Sequence, residues 1–297
     1  MRTEMDGWHL RMRSDSVLRP EPSVLGPSGW ASFILILVVG AACTTVPVTG
    51  RSQLMLVSQQ EEAQMGAAAF QQLARDESGK GRMVSAERDP ALHQRIRGVG
   101  DRIIRAAGLQ TAYAWEYPIV RSSEVNAAAI AGGKIIVYTG ILPVAAGDAG
   151  LATVLGHEVG HVLAHHTGER LSQAGLTEAA LGATAAALSG GTGGGAGAQT
   201  AMAVFGLGAQ YGILLPYARA QESEADHIGL ILMAKAGYDP HEAVNLWHRM
   251  EQQCGSSPPA FLSTHPSHGT RIAQLTEWMG DAWKYYQDPH LPLPGTR

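Results

Sequence analysis

The sequence predicts an α+β fold, mainly α, in which a small sheet lies beside one histidine-bearing helix. Three observations predict it. Apolar residues recur at helical spacing over most of the chain beyond residue 58. That period breaks between Thr111 and Leu142, where short β-branched runs and a Gly132-Gly133 pair take over. The chain of 297 residues is 45% hydrophobic, enough to fill one large core or two small ones. A net charge of −4 argues against a nucleic-acid partner. Two cysteines exclude a disulfide scaffold and a cysteine-rich zinc module.

The apolar run Ala31 to Ala42 ends in small residues directly before Cys43. It falls short of the roughly 20 residues that a membrane-spanning helix needs, and has the length of a signal-peptide core. Small residues followed by cysteine resemble a bacterial lipobox, although position −3 is Gly40 rather than leucine. Residues 1–42 are therefore expected to be a signal peptide, Cys43 a lipidation site, and 43–58 a flexible tether. Such a chain would face the periplasm from the bacterial cell envelope, lipid-anchored to the outer membrane.

Residues 59–286 form the expected folded domain, with 287–297 as a C-terminal tail. Gln59 to Arg75 and His93 to Ala107 have helical spacing, the second with Ile96, Val99, Ile103 and Ile104 on one side. Two strands follow, around Trp115 to Val120 and Ile135 to Thr139. A long helix then runs through GDAGLATVLGHEVGHVLAHHTGERLSQ, with Asp148 as its N-cap. Another spans Tyr217 to Ala236, with Gly237 as C-cap and Asp239-Pro240 starting the next. Gly255 to Ser267 reads as loop, and Arg271 to Tyr286 as a closing helix. Between Ala179 and Ala218 no residue is charged, but SGGTGGGAGA interrupts the apolar arms. Residues 174–215 are read as a Gly/Ala-rich hairpin or flap.

The stretch LGHEVGHVLAHH carries the chemistry. Residues four apart share a helix face, about 6 Å apart along the axis, so His157 and His161 can both reach one Zn²⁺. Glu158 lies about 100° round from His157, placed to reach a water on the metal rather than the ion. His165 is about 12 Å beyond His157 along the same axis and cannot share its ion, and His166 points elsewhere. The pattern HExxHxxGxxH would need glycine at 164 and histidine at 167, where the chain has Ala164 and Thr167. A third ligand must come from elsewhere. The run ARAQESEADHIGL offers candidates: Glu222 and Asp226 share a helix face, whereas Glu224 points away.

HEVGHVLAHH, then ESEAD and AGYDP, resembles the HtpX/CAAX-prenyl-protease-like zinc metallopeptidases. Within that family it is most similar to soluble periplasmic and lipid-anchored members such as LoiP and BepA. CTTVPVTGRSQL, NAAAIAGGKIIVYTGIL and FLSTHPSHGTRI extend the resemblance from Cys43 to Trp278. It implies a zincin-like fold, one Zn²⁺ per chain, and His157, His161 and Glu222 as ligands. It further implies Glu158 as general base, Asp226 as the carboxylate orienting a ligand histidine, and His265 as either a resting fourth ligand or an oxyanion donor.

Such a chain is expected to be a zinc endopeptidase acting on misfolded or unassembled envelope proteins. Glu158 would take a proton from the attacking water and deliver it to the leaving amine. His265 or Arg271 would steady the oxyanion. Substrate is expected to pair with an edge strand at Lys134, Ile135, Ile136 and Val137, where main-chain bonds bring little selectivity. The rival expectations are an assembly factor with latent activity and an integral membrane protease.

Overall fold

A computed structural model describes residues 43–176, 219–253, 260–265 and 270–295. The expected signal peptide and nearly all of the Gly/Ala-rich segment lie outside them. The described chain is mainly helical with two small sheets, as expected.

The N-terminal segment differs from its expectation as a flexible tether. Strands β1 (Cys43–Thr45) and β2 (Ser52–Leu54) form an antiparallel hairpin. Val46 between them is buried, and the Val48 amide donates to the Pro294 carbonyl at 2.9 Å. Two buried carboxylates hold Arg51 at 2.7 Å, so an ion-paired side chain and an apolar one seat the hairpin on the domain.

Helix α1 (Gln59–Gly79) starts at a capping box, in which the Glu61 amide donates to Ser58 Oγ and the Ser58 amide to Glu61 Oε2. It runs one turn past its expected end. Helix α2 (Pro90–Ala107) opens with Asp89 accepting from the Leu92 amide and ends at Gly108 in the left-handed region.

Strands β3 (Met83–Val84), β4 (Ile119–Val120), β5 (Ala127–Ile130) and β6 (Lys134–Tyr138) form the second sheet in the order β3-β4-β6-β5. This corrects the substrate strand. Lys134, Ile135, Ile136 and Val137 belong to β6, which pairs with β4 on one side and β5 on the other. Their main-chain groups are consumed within the sheet, and Ile135 to Val137 are fully buried. The edges are β3 and β5, and the alanine-rich sequence of β5 has weak strand propensity and no apolar–polar alternation.

After α3 (Ile141–Ala145), helix α4 (Asp148–Leu163) carries HEVGH through the centre of the molecule. Gly147, not Asp148, occupies the N-cap. Asp148 is the first helical residue, near the positive end of the helix dipole, and pairs with Arg95 at 2.6 Å. The expected unbroken helix also fails, because the chain turns at Ala164 and His165 (φ 50°) before helical residues 166–176, here α5. Glu62 holds that turn: one oxygen meets His165 Nδ1 at 3.0 Å and the other accepts from the Gly168 amide at 2.9 Å.

Helix α6 (Arg219–Lys235) ends as expected. Gly237 has φ 78°, its amide donates to Ala234 and that of Tyr238 to Met233, the paired bonds of a Schellman motif. Helix α7 (His241–Gln252) follows, then α8 (Ala260–Thr264), a short helix inside the segment read as loop. Helix α9 (Arg271–Gln287) closes the core, and the tail packs back through buried Leu293.

Helices α4 and α6 touch through their backbones. A Cβ on Gly156 would lie 2.8 Å from the Gly229 carbonyl oxygen, and one on Gly160 would lie 2.9 Å from that of Ala225. Small residues at i and i+4 on both helices allow this approach, and it brings the two motifs within reach of each other. Gly229→Ala should destabilise the fold by about 1–3 kcal/mol in urea unfolding, because the obstructing atoms are backbone. Gly98→Ala, on exposed helix surface where an added Cβ meets nothing, should instead be neutral or stabilise by about 0.5–1 kcal/mol. Equal effects at the two sites would contradict this account of the packing.

Candidate metal centre

His157 and His161 project from α4 toward α6, where Glu222 and Asp226 occupy successive turns. Their side chains converge with His265, which follows α8. Donor atoms of His157, His161, Glu222 and His265 all lie within 4.8 Å of one another, and each residue is at most 2% exposed. Residues from three parts of the chain thus meet in one buried cluster.

The hydrogen bonds define which nitrogen faces inward. His157 Nδ1 donates to Asp226 Oδ1 at 2.9 Å, which turns Nε2 into the cluster, where its lone pair would serve a metal. His161 turns its Nδ1 outward to His166 at 2.7 Å, and its Nε2 lies 3.0 Å from that of His157. Two lone pairs that close would repel each other, so the pair needs either a shared proton or a metal cation between its nitrogens. Two ligands on a tetrahedral zinc stand about 3.4 Å apart, given bonds near 2.1 Å. Glu222 oxygens lie 3.4 Å from His157 Nε2 and 3.5 Å from His161 Nε2. His265 Nδ1 lies 3.2 Å from both His157 Nε2 and a Glu222 oxygen. The donor types and spacings fit zinc.

Burial and charge act in opposite directions here. Burial works to lower His157, but the carboxylates of Asp226 and Glu222 outweigh it and lift the imidazole to about 10. Burial also works to raise Glu222, and the imidazoles of His157 and His265 hold it far below the ordinary range. His161 is driven well below its ordinary value by burial and by the neighbouring His157. Glu158 is fully buried, which raises its carboxyl pKa. One Glu158 oxygen accepts from the Ala129 amide on β5 at 2.6 Å, and the other lies 3.4 Å from His265 Nε2.

Arg271 sits differently from its expected oxyanion role. Its Nε donates to Asp226 at 2.5 Å and its Nη2 to Glu222 at 3.0 Å, while Trp247 covers the guanidinium at 3.9 Å. It ties Glu222 and Asp226 of α6 together behind the donor cluster. His265 is no ordinary loop histidine. Its ring stacks on Phe261 with centroids 4.5 Å apart and is buried in the cluster.

Two further corrections concern residues that helical geometry had set aside. His166 is fully buried against His161, and Glu224 is buried with it, accepting from His166 Nε2 at 2.9 Å. The turn at Ala164–His165 redirects His166, and a continuous helix could not have shown it. A polar residue beside the apolar end of α4 was the one signal available.

Asp226→Asn should weaken zinc binding by about 10–100-fold in chelator competition while the protein stays folded, because the amide disturbs both the His157 and Arg271 contacts. Unchanged zinc affinity would show that Asp226 does not orient His157.

Residues 90–279 match peptidase family M48. Mitochondrial metalloendopeptidase OMA1 of Schizosaccharomyces pombe is 35% identical over 80% of this chain and 66% of its own length. The OMA1 of Saccharomyces cerevisiae is 31% identical over 81% of this chain and 70% of its own. The beta-barrel assembly-enhancing protease of Escherichia coli is 28% identical over 77% of this chain and 46% of its own. The chain thus spans between about half and just over two-thirds of these relatives. The matched region includes both histidines of HEVGH and Glu222 and Asp226 on α6, so the chain belongs to peptidase family M48 and carries that family's zinc metalloendopeptidase domain.

Proposed function

We propose that the protein is a zinc endopeptidase of the bacterial cell envelope that cleaves misfolded or unassembled proteins, with His157, His161 and Glu222 holding the metal. The observation that carries this reading is the pair of inward Nε2 atoms, 3.0 Å apart, beside a buried Glu158. Zinc supplies an acidified water and polarises the scissile carbonyl. Glu158 is the proton carrier: its raised pKa suits a base that takes a proton from the water and returns it to the leaving amine. Arg271 and Asp226 keep Glu222 and His157 in place.

His265 supplies a fourth donor and closes the set in a resting arrangement. Withdrawn from it, the same imidazole can face the developing oxyanion.

Substrate lies along β5. Asn126 accepts from the Tyr138 amide at 3.1 Å, so the alternating register turns Ala128 and Ile130 toward β6, and Ala127 and Ala129 outward. An extended peptide pairing with that outer edge is held by its backbone, which suits partly unfolded proteins of varied sequence. It must also displace Glu158 from the Ala129 amide, freeing that carboxylate where the peptide bond arrives.

The envelope assignment rests on the apolar run that ends at Cys43 and on the resemblance to lipid-anchored family members. With β1 beginning at Cys43, a lipid there would hold the domain close to the membrane. Among the described residues no helix is long and apolar enough to cross a membrane.

Casein cleavage and zinc content together test the reaction. Glu158→Gln should retain its zinc and lose activity by about 10²–10⁴-fold, whereas full activity in that variant would remove Glu158 from the mechanism. For the anchor, Cys43→Ser should move the protein from the membrane fraction to the soluble one. A variant that stays with the membrane through carbonate washing would mean a different attachment.

A further inference from the structure

The N-terminal hairpin reaches the metal centre through a chain of hydrogen bonds that the protease mechanism does not use. His161 Nδ1 and His166 Nδ1 are 2.7 Å apart, and His166 Nε2 meets Glu224 Oε2 at 2.9 Å. Arg51 Nε donates to that same Glu224 oxygen at 2.8 Å, and Thr49 Oγ1 donates to the other. The remaining guanidinium nitrogens of Arg51 grip Glu169 at 2.7 and 2.8 Å. His166, Glu224 and Glu169 are all buried.

Direction follows from chemistry. If His161 binds a metal through Nε2, its proton must sit on Nδ1 and be donated outward. His166 Nδ1 must then accept, which places the His166 proton on Nε2, facing a carboxylate that can only accept while ionised. Glu224 takes hydrogen bonds from His166, Arg51 and Thr49 together, so it stands as the acceptor at the end of the path. Each link fixes the next.

We propose that Arg51, Glu224 and His166 form a relay that positions His161 as a zinc ligand, making the N-terminal hairpin a working part of the metal centre. The proposal rests on the reading of His161 as a ligand. Asp226 gives His157 a carboxylate directly, and the relay gives His161 one through a second imidazole. The turn at His165 makes this possible. In an unbroken helix His166 would sit about 140° round from His161 and face away. These three residues are positioning residues, since none belongs to the donor cluster.

The test compares zinc affinity by chelator competition and the visible spectrum of the cobalt(II)-substituted full chain. His166→Phe keeps a planar ring but removes the acceptor. It should lose about 10–100-fold in zinc affinity and alter the cobalt bands. His166→Asn, whose Oδ1 stands near the position of Nδ1, should recover most of that loss. Arg51→Met should shift both readouts in the same direction by a smaller amount. Glu169→Gln keeps a side-chain oxygen for Arg51 and makes no hydrogen bond to Glu224 or His166, and should leave affinity within about twofold of wild type, far less than the loss of an orienting partner. Should His166→Phe not fold, Arg51→Met against Glu169→Gln carries the test. Equal zinc affinity and identical cobalt spectra in wild type and Arg51→Met would overturn the relay. Failure of the wild-type chain to take up zinc would instead overturn the ligand assignment beneath it.

Discussion

The close approach of α4 and α6 is the constraint on which the site depends. Gly156 and Gly160 face Ala225 and Gly229 with no room for an added methyl group between the backbones. Larger residues would hold the axes further apart, and the carboxylates of α6 would stop short of the imidazoles of α4. Both helices are therefore unusual in composition. They combine small residues for packing with histidines and acids that a buried surface would normally exclude.

Burying so many ionisable groups is tolerable because the three acids of α6 are each shared between a histidine and an arginine. Asp226 is shared between His157 and Arg271, Glu222 between the donor cluster and Arg271, and Glu224 between His166 and Arg51. The arginines stand behind the acids, and the acids behind the histidines. Negative charge is thus balanced on the outer side while lone pairs converge on the inner one. Such an arrangement attracts a dication and keeps the ligand rings from turning. The sheet completes the site from the other side, since the outer edge of β5 meets Glu158 through the Ala129 amide.

Much of this was legible in the sequence, for identifiable reasons. Helical spacing located α1, α2, α4, α6 and α9, Asp239-Pro240 marked the start of α7, and the four-residue spacing of His157 and His161 needs only an ideal helix to be understood. Family resemblance, not spacing, singled out Glu222 among the acids and pointed to His265. What escaped depends on places where local rules do not apply. The β5 strand is three alanines and an isoleucine, so the sheet edge was assigned to its β-branched neighbour β6. The left-handed His165 redirects His166, and the contacts that hold the turn, to Glu62 and Glu224, come from distant parts of the chain. The hairpin from Cys43 looked like a tether because its attachments, Arg51 to Glu224 and Glu169 and the Val48 amide to Pro294, all join residues more than a hundred positions apart. The paired small residues of α4 and α6 were visible but carry meaning only once the two helices are known to touch.

X-ray absorption at the zinc edge of the loaded protein tests the central claim most directly. One zinc per chain should show a first shell of nitrogen and oxygen at about 2.0–2.1 Å, with the outer-shell scattering of at least two imidazoles and no sulfur. A shell with sulfur, fewer than two imidazoles, or zinc uptake well below one per chain would contradict the assignment of His157, His161 and Glu222 to a single metal.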